Sequence, residues 1–523
     1  MPGPTASHQG RTPLVPAPAS PYGRPVDTDL RETHSAVLAM VGPHVYKIKK
    51  PVRLPFLDFS TVEARWEVAA REVALNRRLA PDVYLGVGEW RAPDADPDRP
   101  GEPVVVMRRM PDDRRLATLV SSGSSGNISG GVSGGTATHD ELRAAIRAIA
   151  RTVAAFHSRA ERSPTIDTAG LPETVSAKLI TDVEEARDIA SGVLDTDLID
   201  TVESLGRVYL RGRVPLLDQR VRDGLVCDGH GDLLADDIFC LPDGPRILDC
   251  IEFDDRLRWG DVLADIAFLA MDLDRLGAPD LATLLLADYG EFSGEHHPAS
   301  LAHFYVAARA LIRAKVTAVR VHQGERAAAD LAQRLLALAV EHLRRGRVTC
   351  TLVGGGPGTG KSAVAETIAP TIDAVVIASD EVRKELAGLP HDTPAGASYG
   401  EGIYDDLHTE ATYAEMIDRG RHLLEHGTSV VLDASWSRQA HRDAARSVAL
   451  ATSAELHELR CVAPPAVAHR RIAERSARRH TSDATIAVAD AMTDTAEPWP
   501  TAFVLDTDAP LFVVTAAAQR SIG

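Results

Sequence analysis

Eight consecutive residues, Gly355-Gly356-Pro357-Gly358-Thr359-Gly360-Lys361-Ser362, follow the spacing G-x-x-x-x-G-K-S between an apolar run and a helical pattern that begins Ala363-Val364-Ala365. Glycines in such a loop let backbone N–H groups turn inward on a polyphosphate, and the helix N-terminus adds positive potential. Lys361 then reaches the outer phosphates and the Ser362 hydroxyl binds Mg²⁺, so the chemistry indicated is the holding of ATP with Mg²⁺. Ser379-Asp380-Glu381-Val382-Arg383 ends a second apolar run. There Asp380 can take a proton from an attacking hydroxyl and Arg383 can hold an acceptor or a phosphate; a helix-capping Asp with a solvated Arg is the plainer alternative. Ser429 to Leu432 leads to Asp433, suited to holding Mg²⁺ directly or through water. Arg470, Arg471, Arg475, Arg478 and Arg479 lie on one helical stretch, where Arg471 and Arg475 share a face and can close over a transferring phosphoryl group; otherwise they form a solvated basic face.

A second constellation lies upstream. Asp228-Gly229-His230-Gly231-Asp232-Leu233 opens an Asp-rich region, and Ile247-Leu248-Asp249-Cys250-Ile251-Glu252-Phe253-Asp254 follows it. Phosphoryl transfer needs one Asp to orient the acceptor hydroxyl and further carboxylates to hold Mg²⁺ against the phosphates. Asp232 fits the first role and Asp249 the second. Asp261-Val262-Leu263-Ala264-Asp265 then opens a helix, where carboxylates can cap backbone N–H groups. An Asp-rich loop is also compatible with a solvated surface.

These residues must be carried by defined elements. Ser35–Val41 and His44–Lys49 read as strands around a Gly42-Pro43 turn, Thr61–Leu79 as a helix and Pro103–Met107 as a strand. Asp140–His157 has apolar residues three or four apart, and helical patterns fill Val262–Arg345. From Arg347 onward strands alternate with helices, which indicates a parallel α/β sheet. Ser121–Gly135 is low-complexity Gly/Ser sequence and Met1–Val26 is rich in Pro, Gly and Ala.

From Arg347 to Gly523 the Walker A element, S-D-x-x-R, Asp433 and the R-x-x-x-R stretch resemble the small P-loop kinases of the zeta-toxin and polynucleotide-kinase type. That resemblance implies transfer of the ATP γ-phosphate to a hydroxyl, with Asp380 as base. Residues 29–340 resemble the aminoglycoside phosphotransferase family, whose H-G-D loop is followed by an Asn, a strand and a metal-binding Asp. On this pattern Asp232 is the catalytic Asp, Asp249 a Mg²⁺ ligand, and Asp237 occupies the Asn position as a second metal ligand. The resemblance also makes Lys47 the phosphate-pairing lysine and Glu72 its ion-pair partner. Lys49, on the same strand face, is the alternative lysine, and Met107–Met110 is the adenine-contacting hinge. The combination looks like the bacterial bifunctional aminoglycoside phosphotransferase-like/P-loop ATP-binding fusion proteins.

The resulting expectation is an α+β protein-kinase-like, two-lobed domain over 29–340, with a flexible insert at 121–138, followed by an α/β P-loop kinase domain over 346–523. Residues 1–28 form a tail. Each module is expected to pass a phosphoryl group from ATP to a hydroxyl of a small-molecule acceptor. Two other readings stay open: an N-terminal pseudokinase that binds a ligand and regulates the P-loop module, and a C-terminal 5′-hydroxyl polynucleotide kinase. The 523 residues carry 57 basic and 74 acidic side chains, net −17, which disfavours broad nucleic-acid binding. No run of 18 apolar residues is present, so no membrane span is expected. Five cysteines without a C-x-x-C pair fit a reducing cytoplasm. Only seven basic residues are lysine, and three of them (Lys47, Lys49 and Lys50) cluster around the end of the strand His44–Lys49.

Overall fold

The protein is described by a computed structural model that covers residues 28–32, 36–54, 57–92, 96, 98–124, 138–189, 192–390, 402–476 and 485–522. The expected tail 1–28 lies almost wholly outside the described residues, as do most of the insert 121–138 and Arg478 and Arg479. The chain packs as two compact units: Met1–Leu171 with Arg220–His296, and Pro172–Gln219 with His297–Gly523.

In the first unit an antiparallel sheet runs in the order Thr28–Glu32, Ala36–Val41, His44–Lys49, Glu102–Arg108, Tyr84–Trp90. Alternation puts Val45, Lys47 and Lys49 on one face of their strand. That face packs on the helix Val62–Asn76: Val45 joins Ala69, Val73, Val105 and Met107 in one buried cluster. The helix starts where the Thr61 hydroxyl accepts the Ala64 N–H at 3.2 Å. Two lysines therefore point into a space that is otherwise apolar, and the helix must bring anions to meet them. The strand Glu102–Arg108 runs on through Arg109 to Met110, which is buried in the same cluster.

The second unit holds a five-stranded parallel sheet ordered Ala374–Ala378, Ser429–Asp433, Thr349–Gly354, Glu455–Val462, Phe503–Asp506. Its register pairs both Val353 and Ala378 with Asp433, so three strand ends lie level at the carboxyl edge. Buried Val353, Val364, Val431, Leu459 and Leu505 join the sheet to the helix Lys361–Ile368 and its neighbours.

Four helices, Pro172–Ile189, Thr196–Gly212, Ala299–His322 and Ala329–Arg345, pack in this unit and not with the antiparallel sheet of the first. The grouping differs from a division at 340–346. Its physical basis is polar as well as apolar: Arg213, 1% exposed, donates to the carbonyls of Gly212 at 2.8 Å and Thr452 at 3.1 Å, and also to that of Leu424. Those carbonyls lie at the C-terminal ends of three helices, where the helix dipoles favour a cation. Ser300 adds a hydroxyl bond to the Gly427 carbonyl at 2.6 Å. Among the described residues no helix is long and apolar enough to cross a membrane. All five cysteines are buried and free.

Candidate active sites

In the first unit Lys47 Nζ stands 2.8 Å from Glu72 Oε1 and 2.7 Å from Asp249 Oδ1. Lys49 Nζ is 2.7 Å from the other oxygen of Glu72 and also pairs with Glu252. Burial works against the charge on Lys47, but Asp249, then Glu72 and Glu252, outweigh it and hold its pKa well above that of a free lysine. Lys47 in return holds the Asp249 carboxyl below the usual range. The Lys49 side chain is 2% exposed and the Asp249 side chain 51%, so Lys47 with Asp249 faces the open cleft while Lys49 is sealed in the core. Asp249 has φ = 64°, a left-handed conformation uncommon outside glycine and one that recurs at functional sites.

Asp232 and Asp237 join this group. Burial, followed by repulsion from Asp249, Asp232 and Asp236, pushes the Asp237 carboxyl well above its ordinary pKa. Among the described residues no three His, Cys, Asp or Glu side chains converge as a metal cage. Mg²⁺ needs none, since it is held by one or two carboxylates with phosphate oxygens and water. The repulsion raising Asp237 is what a divalent cation would relieve, so Asp237 and Asp249 fit that ion.

The loop bearing Asp232 is held from below. Asp265 accepts the N–H groups of His230 at 2.7 Å and Gly231 at 2.8 Å, and His157 Nε2 lies 3.0 Å from it. Tyr289 Oη is 2.8 Å from His157 Nδ1. Ionised Asp265 is acceptor-only, so Nε2 of His157 donates to it and Nδ1 faces the Tyr289 hydroxyl. Burial lowers the His230 pKa to about 4. Neutral His230 donates from Nε2 to the Leu248 carbonyl at 3.1 Å and accepts the Asp232 N–H on Nδ1 at 3.4 Å. Arg78 bonds the Asp228 carboxylate at 3.0 Å and the Gly229 carbonyl at 2.9 Å. Asp261 caps its helix as expected, through the Leu263 N–H at 2.8 Å, whereas Asp265 serves the loop and not the helix.

In the second unit the strand Thr349–Gly354 feeds residues 355–360 and then the helix Lys361–Ile368. Gly358 has φ = 79°, and a Cβ there would meet the Ala468 carbonyl oxygen at 2.5 Å. The loop is braced from outside: Thr507 donates its hydroxyl to the Thr359 carbonyl at 2.5 Å, and Arg471 reaches the Thr507 carbonyl at 2.7 Å and that of Gly358 at 3.4 Å. Arg475 lies on the same helix, Pro465–Ser476, with its side chain outside the described residues.

Asp433 is 4% exposed. Burial raises its pKa; Lys361 and a hydrogen bond from Ser362 oppose this, and Asp380 adds to it. The fold thus gathers Lys361, Ser362, Asp380 and Asp433. Asp433 Oδ1 is buried without a hydrogen-bond partner among the described residues, so this carboxylate, with Ser362, fits a divalent cation.

Arg383 is placed differently from a free anion clamp. Its Nη1 donates to the Ile403 carbonyl at 2.9 Å and the Thr409 hydroxyl at 3.2 Å, with the guanidinium over the Tyr404 ring at 5.0 Å. Two residues without a motif complete the floor. Tyr413 Oη accepts the Trp436 N–H at 3.1 Å and lies 3.0 Å from the Ser435 hydroxyl, while the Ser435 carbonyl accepts the Gly355 N–H at 3.3 Å.

Residues 350–499 match the family model described as AAA domain. Uncharacterized proteins of two Mycobacterium tuberculosis strains and of Mycobacterium bovis are each 40% identical over 495 residues, covering 95% of this chain and 94% of the relative. Among solved structures, a choline/ethanolamine kinase family protein from Mesorhizobium loti is 16% identical, with TM-score 0.36, over 62% of this chain and 96% of that one. A gluconokinase from Sinorhizobium meliloti is 20% identical, with TM-score 0.26, over 34% and 93%.

Proposed function

We propose that this chain, which belongs to the family of the mycobacterial proteins Rv2004c, MT2060 and Mb2027c, is an ATP-dependent phosphotransferase with two nucleotide sites. The observation that carries the reading is the phosphate loop 355–362 set level with Asp433, whose buried Oδ1 has no hydrogen-bond partner among the described residues and lies beside Lys361 and Ser362. The second site, around Lys47 and Asp232, fits an aminoglycoside phosphotransferase-like module; the first fits a P-loop kinase of the zeta-toxin and polynucleotide-kinase type.

At the phosphate loop, inward N–H groups and Lys361 hold the triphosphate, and Asp380 takes the proton of an acceptor hydroxyl as its oxygen attacks the γ-phosphorus and the bond from that phosphorus to the bridging oxygen breaks, releasing ADP and the phosphorylated acceptor. Arg471 braces the loop from outside. Arg383 acts one step away, fixing Ile403–Thr409 as a wall of the acceptor space. At the other site Lys47, aligned by Glu72, holds phosphate oxygens, and Asp232 orients the second hydroxyl. Mg²⁺, when bound, supplies charge neutralisation at the phosphates, through Ser362 and Asp433 in one site and Asp237 and Asp249 in the other. The acceptors are small molecules bearing hydroxyls; the net charge of −17 argues against a nucleic acid.

The test is ATP consumption by the full chain, and by its Lys361→Ala and Asp232→Ala variants, against sugars, aminoglycosides, nucleosides and 5′-hydroxyl oligonucleotides. Each variant should lose a different acceptor-dependent activity. An Asp232→Ala protein that keeps every activity would make the first unit a pseudokinase, and turnover of oligonucleotides alone would give the P-loop site a nucleic-acid substrate.

A further inference from the structure

The first unit contains a cavity of about 430 Å³ on the side of the helix His139–Arg159 that carries His157, lined by His157, Tyr289, Leu225, Phe292, Glu295 and Arg151. The volume lies in the range of small-molecule sites, about 300–1,000 Å³. Two of its walls, His157 and Tyr289, are the lower members of the chain Tyr289–His157–Asp265 whose last carboxylate holds the His230 and Gly231 amides. Whatever occupies the cavity therefore touches the supports of the loop that bears Asp232.

The charges around it favour one class of occupant. Glu295 is 6% exposed and shares the Arg220 guanidinium, at 2.5 Å, with Asp261. Arg151 lies with its guanidinium over the Phe292 ring at 4.7 Å and makes no ion pair among the described residues. Arg162, also in the lining, is turned to the carbonyls of Gly224, Ala160 and His157, so the lining sets two arginines against one carboxylate and leaves Arg151 as the cation beside an aromatic ring, with Leu225 and Val262 as apolar wall.

We infer that this cavity is a regulatory site for a small organic anion with a flat apolar body, and that its occupant tightens or loosens the Asp232 loop through Tyr289, His157 and Asp265. The occupant's acid group pairs with Arg151 and its body lies against Phe292 and Leu225, within reach of the Tyr289 hydroxyl. The catalytic meaning of the coupling rests on the role proposed above for Asp232; the binding does not.

The probe is 1-anilinonaphthalene-8-sulfonate, an aromatic sulfonate, titrated by fluorescence into the full chain. One saturable phase should weaken at least tenfold in Ala155→Trp, whose indole would fill the cavity from a half-buried residue of the same lining, and several-fold in Arg151→Glu, an exposed change that leaves the core intact. The same phase should persist in Lys361→Ala and Asp232→Ala. Amide exchange at His230–Asp232 should change several-fold when the probe binds to the wild type, and not in Ala155→Trp. A phase indifferent to both cavity variants would overturn the site, and binding without an exchange response would overturn the coupling. Neither readout uses phosphoryl transfer, so failure of the proposed activity would leave both results interpretable.

Discussion

Lys47 Nζ and Asp249 Oδ1 stand 2.7 Å apart, so the cation that would meet phosphate and the carboxylate that would meet metal neutralise each other in the protein alone. A nucleotide arriving without metal must compete with Asp249 for Lys47 and also faces its negative charge. Asp249→Asn removes both obstacles together with the metal ligand. The expected outcome is a divided one: metal-free ATP binds more tightly than to wild type, while turnover with Mg²⁺ falls roughly 10²-fold or more. Calorimetric titration with ATP in EDTA, beside steady-state rates in Mg²⁺, measures both. Unchanged binding in EDTA, with turnover lost in Mg²⁺, would mean that Asp249 acts on the nucleotide only through metal.

Lys49 and Lys47 share Glu72 but not its surroundings. Lys49 is sealed between Glu72 and Glu252, beside the Phe59 ring at 5.6 Å. Removing one member of a buried pair leaves its partners charged without compensation, at a cost of about 3–5 kcal/mol. Lys49→Met should therefore lower the urea midpoint strongly, whereas Lys47→Met, at a side chain 13% exposed and facing Asp249, should lower it distinctly less and abolish turnover at this site. Equal loss of stability in the two variants would contradict this division of labour.

How much of this was legible beforehand follows from how local each feature is. Gly355–Ser362 could be read because strand, turn and helix are contiguous and the loop's chemistry is backbone chemistry. Lys47 could not be separated from Lys49, since residues two apart on a strand share a face and only the depth of the cleft distinguishes them. Asp265 reads as a second cap beside Asp261; its real partners, the amides of His230 and Gly231, are 35 and 34 residues away. Arg213 was invisible for the same reason, being bonded to carbonyls 211 and 239 residues distant. Arg383 was legible in position but not in use, because its contacts with Ile403 and Thr409 depend on how the following helix returns.

His230 sets a pH window. Its folded pKa is about 4, below the value of about 6.5 expected in the unfolded chain, so the unfolded state binds the extra proton between those limits. Stability from this group is complete above about pH 6.5 and is lost as pH falls toward 4, by roughly 3 kcal/mol in all. The carboxyls of Asp237 and Asp433, raised by burial, give the opposite slope, so the wild type must be compared with His230→Gln. Urea unfolding at pH 7.5 and 5.0 should show wild type losing more stability than the variant. Turnover at the Asp232 site should hold down to about pH 5 and fall only near pH 4, where folded His230 takes a proton on Nδ1 and the Asp232 N–H loses its acceptor.

Arg213 spans three helix ends with no carboxylate hydrogen-bonded to it among the described residues, and burial, only partly opposed by Tyr209 and Glu425, lowers its pKa to about 10. It remains charged at neutral pH, balanced by carbonyl dipoles. Arg213→Met would leave those buried carbonyls unpaired, a loss on the order of 2–4 kcal/mol. Calorimetric unfolding should show a lower transition temperature in the variant, and an unchanged transition would reduce the residue to filler.

The phosphate loop offers a contrast between two glycines two residues apart. Gly358 has φ = 79°, and an added Cβ would stand 2.5 Å from the Ala468 carbonyl oxygen and 3.0 Å from the Ala468 Cα. Those are backbone atoms of the helix Pro465–Ser476, so the clash is relieved only by moving the helix that carries Arg471 against the Gly358 and Thr507 carbonyls. Gly356 would place its Cβ 4.0 Å from the Thr493 hydroxyl with nothing nearer, and its φ is not in the left-handed region. In a Lys47→Met background, which leaves the phosphate loop as the nucleotide site, Gly358→Ala should weaken ATP binding by roughly 10²-fold, the scale of losing aligned phosphate contacts. Gly356→Ala should stay within a few-fold of its parent. Equal losses in the two variants would show that the loop fails through its own flexibility, and that the helix behind it does not hold it in shape.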